Sequence, residues 1–140
     1  MTTVPRVTPR TGTTGPPGPV VAGLVNDGSA VGVARAAVRE AIRLGTTVHF
    51  VQVMSHTLSE ADLADADRAT FSAALRALRG HPRTPSTFEL VRGDPQEVLV
   101  ERSRGAAVLV IGEDASTPSA SVADYCLRHA RCAVETVAAR

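Results

Sequence analysis

Short apolar runs alternate with amphipathic stretches along most of this chain. Pro19–Val25 (PVVAGLV) is continuously apolar and predicts a first strand, closed by the turn chemistry of Asn26-Asp27-Gly28-Ser29. From Val33 the apolar positions Val33, Ala34, Ala37, Val38, Ala41 and Ile42 recur every three or four residues, with Arg35, Arg39, Glu40 and Arg43 between them. That spacing is one face of a helix, stopped at Gly45. Thr46–Met54 is β-branched and largely apolar, a second strand. A helix over 59–80 follows, with Asp62 three residues after a Ser59 cap, acids near its start and Arg76 and Arg79 near its end, as the helix dipole favours. Thr87–Val91 predicts a short third strand. Asp94-Pro95-Gln96-Glu97 then predicts a helix start, with an Asp cap, Pro at the first helical position and Glu three after the cap.

The last part of the chain repeats the scheme. Val108–Ile111 is a short apolar strand ended at Gly112, and Ser121 opens a helix with Asp124 three residues on. Cys132–Val137 is the closing strand. This order predicts a three-layer α/β/α domain around a five-stranded, mostly parallel sheet with right-handed crossovers. Ligands of such sheets sit at the carboxyl ends of the strands, so function turns on what the loop Gly112–Ala120 can hold.

Composition narrows the picture. The 140 residues allow one domain, and with only 3% aromatics its core is built of Val, Leu, Ile and Ala. Residues 1–18, rich in Thr, Pro and Gly without apolar period, read as a disordered tail outside a domain spanning 19–140. All 15 basic residues are Arg, which reads as compositional bias; against 14 acids they leave a charge of +1 with no evident basic face, which argues against a nucleic-acid partner. No apolar run approaches the roughly 20 residues that span a bilayer, and the first residues lack the apolar core of a signal peptide. Cys126 and Cys132 make no disulfide framework. A cytoplasmic protein is expected.

Three segments together resemble the universal stress protein family over about residues 19–140. VRGDPQEVLVERSRGAAVLVIG resembles that family's G-D-P-x-x-x-L helix entry and following strand, and SVADYCLRHARCAV its G-S-V-x-x-Y-x-L-x-H-A-P-C-P-V ending. VVAGLVNDGS resembles its first strand and Asp-Gly-Ser turn. The resemblance implies a small stress-response protein, usually a homodimer, from a family with one ATP-binding branch and one that does not bind ATP. In the binding branch an Asp after the first strand contacts the nucleotide. A loop G-x2-G-x9-G-[ST] after the fourth strand wraps the phosphates.

Carried onto this chain, the resemblance names Asp27, Val53, Gly112 and Ser121 as candidates for binding ATP or AMP. Asp27 takes the Asp position if the turn is aligned, and Val25 takes it if the Gly23–Gly45 spacing is kept without gaps. Val53 stands where the family packs adenine. Gly112 matches the first loop glycine, but Ala115 and Ala120 replace the other two, and Ser121 alone survives of the final pair. Gly112 to Ala120 spans eight positions where the motif takes thirteen, five fewer. Glycines serve such loops by allowing positive φ and close approach to phosphate. Glu113 and Asp114 add two carboxylates; at about 6 Å and an effective dielectric of about 20, each like-charge pair costs about 3 kcal/mol. The expected function is a stress-response module that binds no ATP and has no cofactor, with adenine-nucleotide binding as the alternative.

No catalytic set emerges. Cys126, His129 and Cys132 form C-x2-H-x2-C, one ligand short of a structural zinc site, and the family ending accounts for all three. His49, within the second strand, and His56, just after it, read as strand-edge or surface residues. In the family the last strand pairs antiparallel with its copy, which predicts a homodimer here, weakened by Glu135 within the apolar run.

Overall fold

The computed structural model describes residues 17–24, 29–54, 59–113 and 122–138. Among these residues, five strands and four helices alternate: β1 (Val20–Leu24), α1 (Ala30–Leu44), β2 (Val48–Met54), α2 (Glu60–Leu78), β3 (Ser86–Arg92), α3 (Pro95–Arg102), β4 (Val108–Gly112), α4 (Val122–His129) and β5 (Ala133–Val137). The strands form one sheet in the order β3-β2-β1-β4-β5, and every pairing is parallel. The sheet is therefore parallel throughout rather than mostly so.

Alternation of side chains across the strands sorts the core into two layers. Val20, Ala22, Leu24, Val48, Phe50, Val108 and Val110 face α1 and α2, where Val33, Ala37, Val38, Ala74 and Ala77 meet them. Val21, Val51, Val53, Leu109 and Ile111 face the other way, toward Leu99 of α3 and Ala123 and Cys126 of α4. Burial on both faces explains why β1 and β4 are continuous apolar runs instead of alternating ones.

Element ends follow local chemistry. Ser59 caps α2, its hydroxyl accepting the Asp62 N–H at 3.2 Å. Gly45 ends α1 in the left-handed conformation, φ +68°. α3 has Pro95 in its first turn, but Asp94 makes no side-chain cap bond; its carbonyl accepts the Val98 N–H at 3.0 Å. α1 begins at Ala30, ahead of the apolar period that starts at Val33. β2 begins at Val48: the Thr46 N–H still closes α1 on the Ala41 carbonyl at 2.9 Å, and the Thr46 hydroxyl contacts the carbonyls of Pro17 (3.2 Å) and Gly18 (3.0 Å). Pro17 and Gly18, assigned to the tail on composition, thus lie against the domain. Residues 1–16 of that tail fall outside the described residues. No helix among the described residues is long and apolar enough to cross a membrane.

Candidate functional site

The chain leaves β1 toward β2 on one side and leaves β4 toward β5 on the other, although β1 and β4 are neighbours. Strand order reverses between them, and a crevice at their carboxyl ends is where this kind of sheet takes ligands. Leu24, Gly112 and Glu113 stand at or just past these carboxyl ends, and Ser29 immediately precedes α1. Gly112 is needed there: a β-carbon would lie 2.7 Å from Ser29 Oγ and 2.8 Å from Ser29 Cβ. Ser29 is 6% exposed, and its carbonyl accepts the Val33 N–H at 3.0 Å to start α1. The first turn of α1 has no acidic residue, so its positive end is uncompensated by its own side chains.

Two of the four candidate residues can be placed. Gly112 lies beside the amino end of α1, as its approach to Ser29 shows. Val53 is near the carboxyl end of β2 but faces the α3–α4 layer, 3% exposed. They stand at the same edge of the sheet, Val53 turned to the α3–α4 layer and Gly112 beside Ser29. Asp27 and Ser121 lie outside the described residues. Sequence reasoning took Ser29 only as part of a turn; the glycine closing β4 was the available sign of a close neighbour.

Glu113 is exposed immediately after β4. Its amide is engaged, donating to the Val137 carbonyl at 2.7 Å and extending the β4–β5 pairing. The first amide beyond Gly112 is therefore part of the sheet.

The C-x2-H-x2-C residues do not converge on a metal. Cys126 is fully buried in the α3–α4 layer, and burial, with a smaller contribution from Cys132, pushes its thiol up to about 11. His129 stacks on Tyr125 with ring centroids 4.1 Å apart and has Nδ1 at 3.0 Å from the Tyr125 carbonyl. A thiol so raised is protonated at neutral pH and is a poor nucleophile.

His49 joins a polar chain across β2, β3 and α3. Its Nε2 lies 3.1 Å from Glu89 Oε1, and its Nδ1 is hydrogen-bonded to the Thr87 hydroxyl. A carboxylate only accepts, so Nε2 carries a proton and donates it to Glu89. Arg102 holds the same carboxylate from α3, with Nε at 3.1 Å and Nη2 at 3.0 Å from Oε2. This hydroxyl–imidazole–carboxylate chain is a brace between sheet and helix.

A three-layer α/β domain whose parallel sheet reverses its strand order between β1 and β4 is a doubly wound architecture. The model of the universal stress protein family matches residues 19–137, and the chain belongs to that family. No curated protein matches it. Among solved structures, a universal stress protein in complex with cAMP is similar at 21% identity, covering 90% of this chain and 100% of that one, with a TM-score of 0.71. The Archaeoglobus fulgidus universal stress protein in complex with dAMP is similar at 22% identity, over 85% and 96% of the two chains, TM-score 0.67. An Arabidopsis thaliana family protein with AMP bound is similar at 14%, over 89% and 93%, TM-score 0.61. At these identities the likeness is one of fold.

Proposed function

We propose that this chain is a stress-response module that holds no nucleoside triphosphate, carries out no reaction of its own, and acts in the cytoplasm by pairing with a second copy and with a protein partner. Glu113 carries this reading. It puts an exposed acidic residue directly after β4, while its amide is spent on Val137 rather than open to a phosphate. The loop beyond it is five residues shorter than the triphosphate-binding spacing, which agrees. Pairing of copies is supported by β5, which ends the sheet with its outer edge unpaired among the described residues and its five residues half-buried.

A second reading, an adenine mononucleotide switch, is favoured by the three similar folds solved with cAMP, dAMP and AMP. One phosphate asks less of the loop, and the amino end of α1 beside Gly112 suits a single anion. Asp27, Val53, Gly112 and Ser121 remain the residues proposed for it.

Isothermal titration of ATP and of AMP with Mg²⁺, after a check for co-purified nucleotide, separates the two. Neither nucleotide should give heat. AMP binding alone would favour the second reading, and micromolar ATP binding would overturn the first.

A further inference from the structure

Two rows of arginine meet across the seam between α1 and α2. Arg35 and Arg39 stand one turn apart on α1, Arg76 and Arg79 stand at the end of α2, and His81 follows. They line one open groove of about 400 Å³, floored by the buried Val38 and Ala77. Gly80, at φ +86°, turns the chain so that Arg79 and His81 both reach the groove, and the His81 N–H donates to the Leu78 carbonyl at 2.9 Å.

Ordinary explanations cover only part of this cluster. Cations suit a helix carboxyl end, which accounts for Arg76 and Arg79 but not for Arg35 and Arg39 in the middle of α1. Surface arginines commonly have an acid three or four residues away. The positions so related to Arg35 are Val31, Gly32, Val38 and Arg39, and those related to Arg39 are Arg35, Ala36, Ile42 and Arg43. Glu40 is taken by Arg43 at 2.7 Å. None of the four groove arginines has a carboxylate at ion-pair distance among the described residues, although Arg39 feels Glu135 of β5 from beyond that distance. A concentration of like charge in a concave space asks for a counter-charge from outside.

We propose that this groove binds a small anion bearing two or more phosphate groups. Each guanidinium is a planar fork that takes phosphate oxygens in pairs. One phosphate would leave most of the four forks unmatched. The volume suits a small molecule, since such sites run from about 300 to 1,000 Å³. A net charge of +1 gives the chain no general attraction for long polyanions, so the concave cluster and not the surface as a whole selects the ligand. The end of α2 leads to the start of β3, which places this groove toward the amino edge of the sheet, away from Gly112 and Ser29.

Titration of the full chain with inorganic tripolyphosphate, followed by heteronuclear NMR, tests the site. Saturable shifts are expected at Arg35, Arg39, Arg76, Arg79 and His81. The double variant Arg35→Gln, Arg79→Gln changes two exposed side chains, and should keep the parent's circular dichroism while binding at least about tenfold more weakly. A parallel titration with a sugar bisphosphate identifies the source of the phosphates: tighter binding than tripolyphosphate points to a phosphorylated metabolite, weaker to an inorganic chain, and both support the site. Equal affinity in the variant, equal affinity for orthophosphate, or shifts confined to Ser29, Gly112 and Glu113 would overturn it. So would binding of single-stranded nucleic acid or an acidic peptide without binding of tripolyphosphate.

Discussion

At Gly23 the middle of β1 has no room for a side chain. A β-carbon would lie 2.8 Å and 2.9 Å from the two methyls of Leu99 and 3.0 Å from Ile111 Cγ2. Leu99 is 1% exposed and Ile111 2%, so neither can move into solvent, and the glycine is what lets α3 lie close on the sheet. Gly23→Ala should therefore cost about 1–3 kcal/mol through overpacking, read as a lower urea midpoint with an unchanged slope. An unchanged midpoint would mean that α3 shifts freely and the contact is not specific. At this scale the sequence says that a glycine is present without saying what presses on it. Leu99 is 76 positions away in the chain, and only the fold brings the two together.

Between elements, the clearest tie is Glu89, which links β3 to Arg102 of α3 and to His49 of β2. Hydrogen bonding from Arg102 holds its carboxyl below the usual range, against burial, with His49 adding to the effect. A carboxyl whose pKa is lower folded than unfolded stabilises the fold above the unfolded value, about 4.3, and loses that contribution as pH falls through the folded value. Glu89→Gln should thus lower stability at neutral pH by no more than about 1 kcal/mol, since the group is partly solvated, and make no difference once the parent's Glu89 is protonated. Urea unfolding of both proteins across acidic and neutral pH checks this; a constant difference at all pH values would assign the loss to packing. Periodicity read the elements themselves well, because apolar spacing is local: all nine emerge, and Ser59 and Pro95 act as their types suggest. Partners across elements were hidden. Glu89 and His49 are 40 residues apart, and Arg76 and Arg79 had a local reason in the helix dipole, so nothing local set them beside Arg35 and Arg39 of α1.

For the whole molecule, alternation of strand and helix was enough to predict three layers, and the resemblance supplied the family that the match over 19–137 establishes. Gly112 ends β4 at the strand-order reversal and Val53 faces the α3–α4 layer, while Asp27 and Ser121 fall outside the described residues. The proposed pairing through β5 has a consequence of its own. Glu135 is the middle residue of that strand, and burial, then the nearby Glu40, raise its carboxyl above the usual range, with Arg39 and Arg43 opposing. For an acid raised by folding, ionisation is penalised in the native state, so its contribution is best below the unfolded pKa and worsens as pH rises through the folded one. An antiparallel pairing centred on this strand sets Glu135 against its copy, adding a like-charge cost of roughly 0.2–1 kcal/mol. Glu135→Gln should then tighten the dimer at neutral pH by up to roughly fivefold. The difference should vanish at a pH where the parent's Glu135 is protonated. Sedimentation velocity over a concentration series reads both outcomes. A variant that associates no better than the parent at neutral pH would place the contact between copies away from the centre of β5, and two monomers at every concentration would remove the pairing altogether.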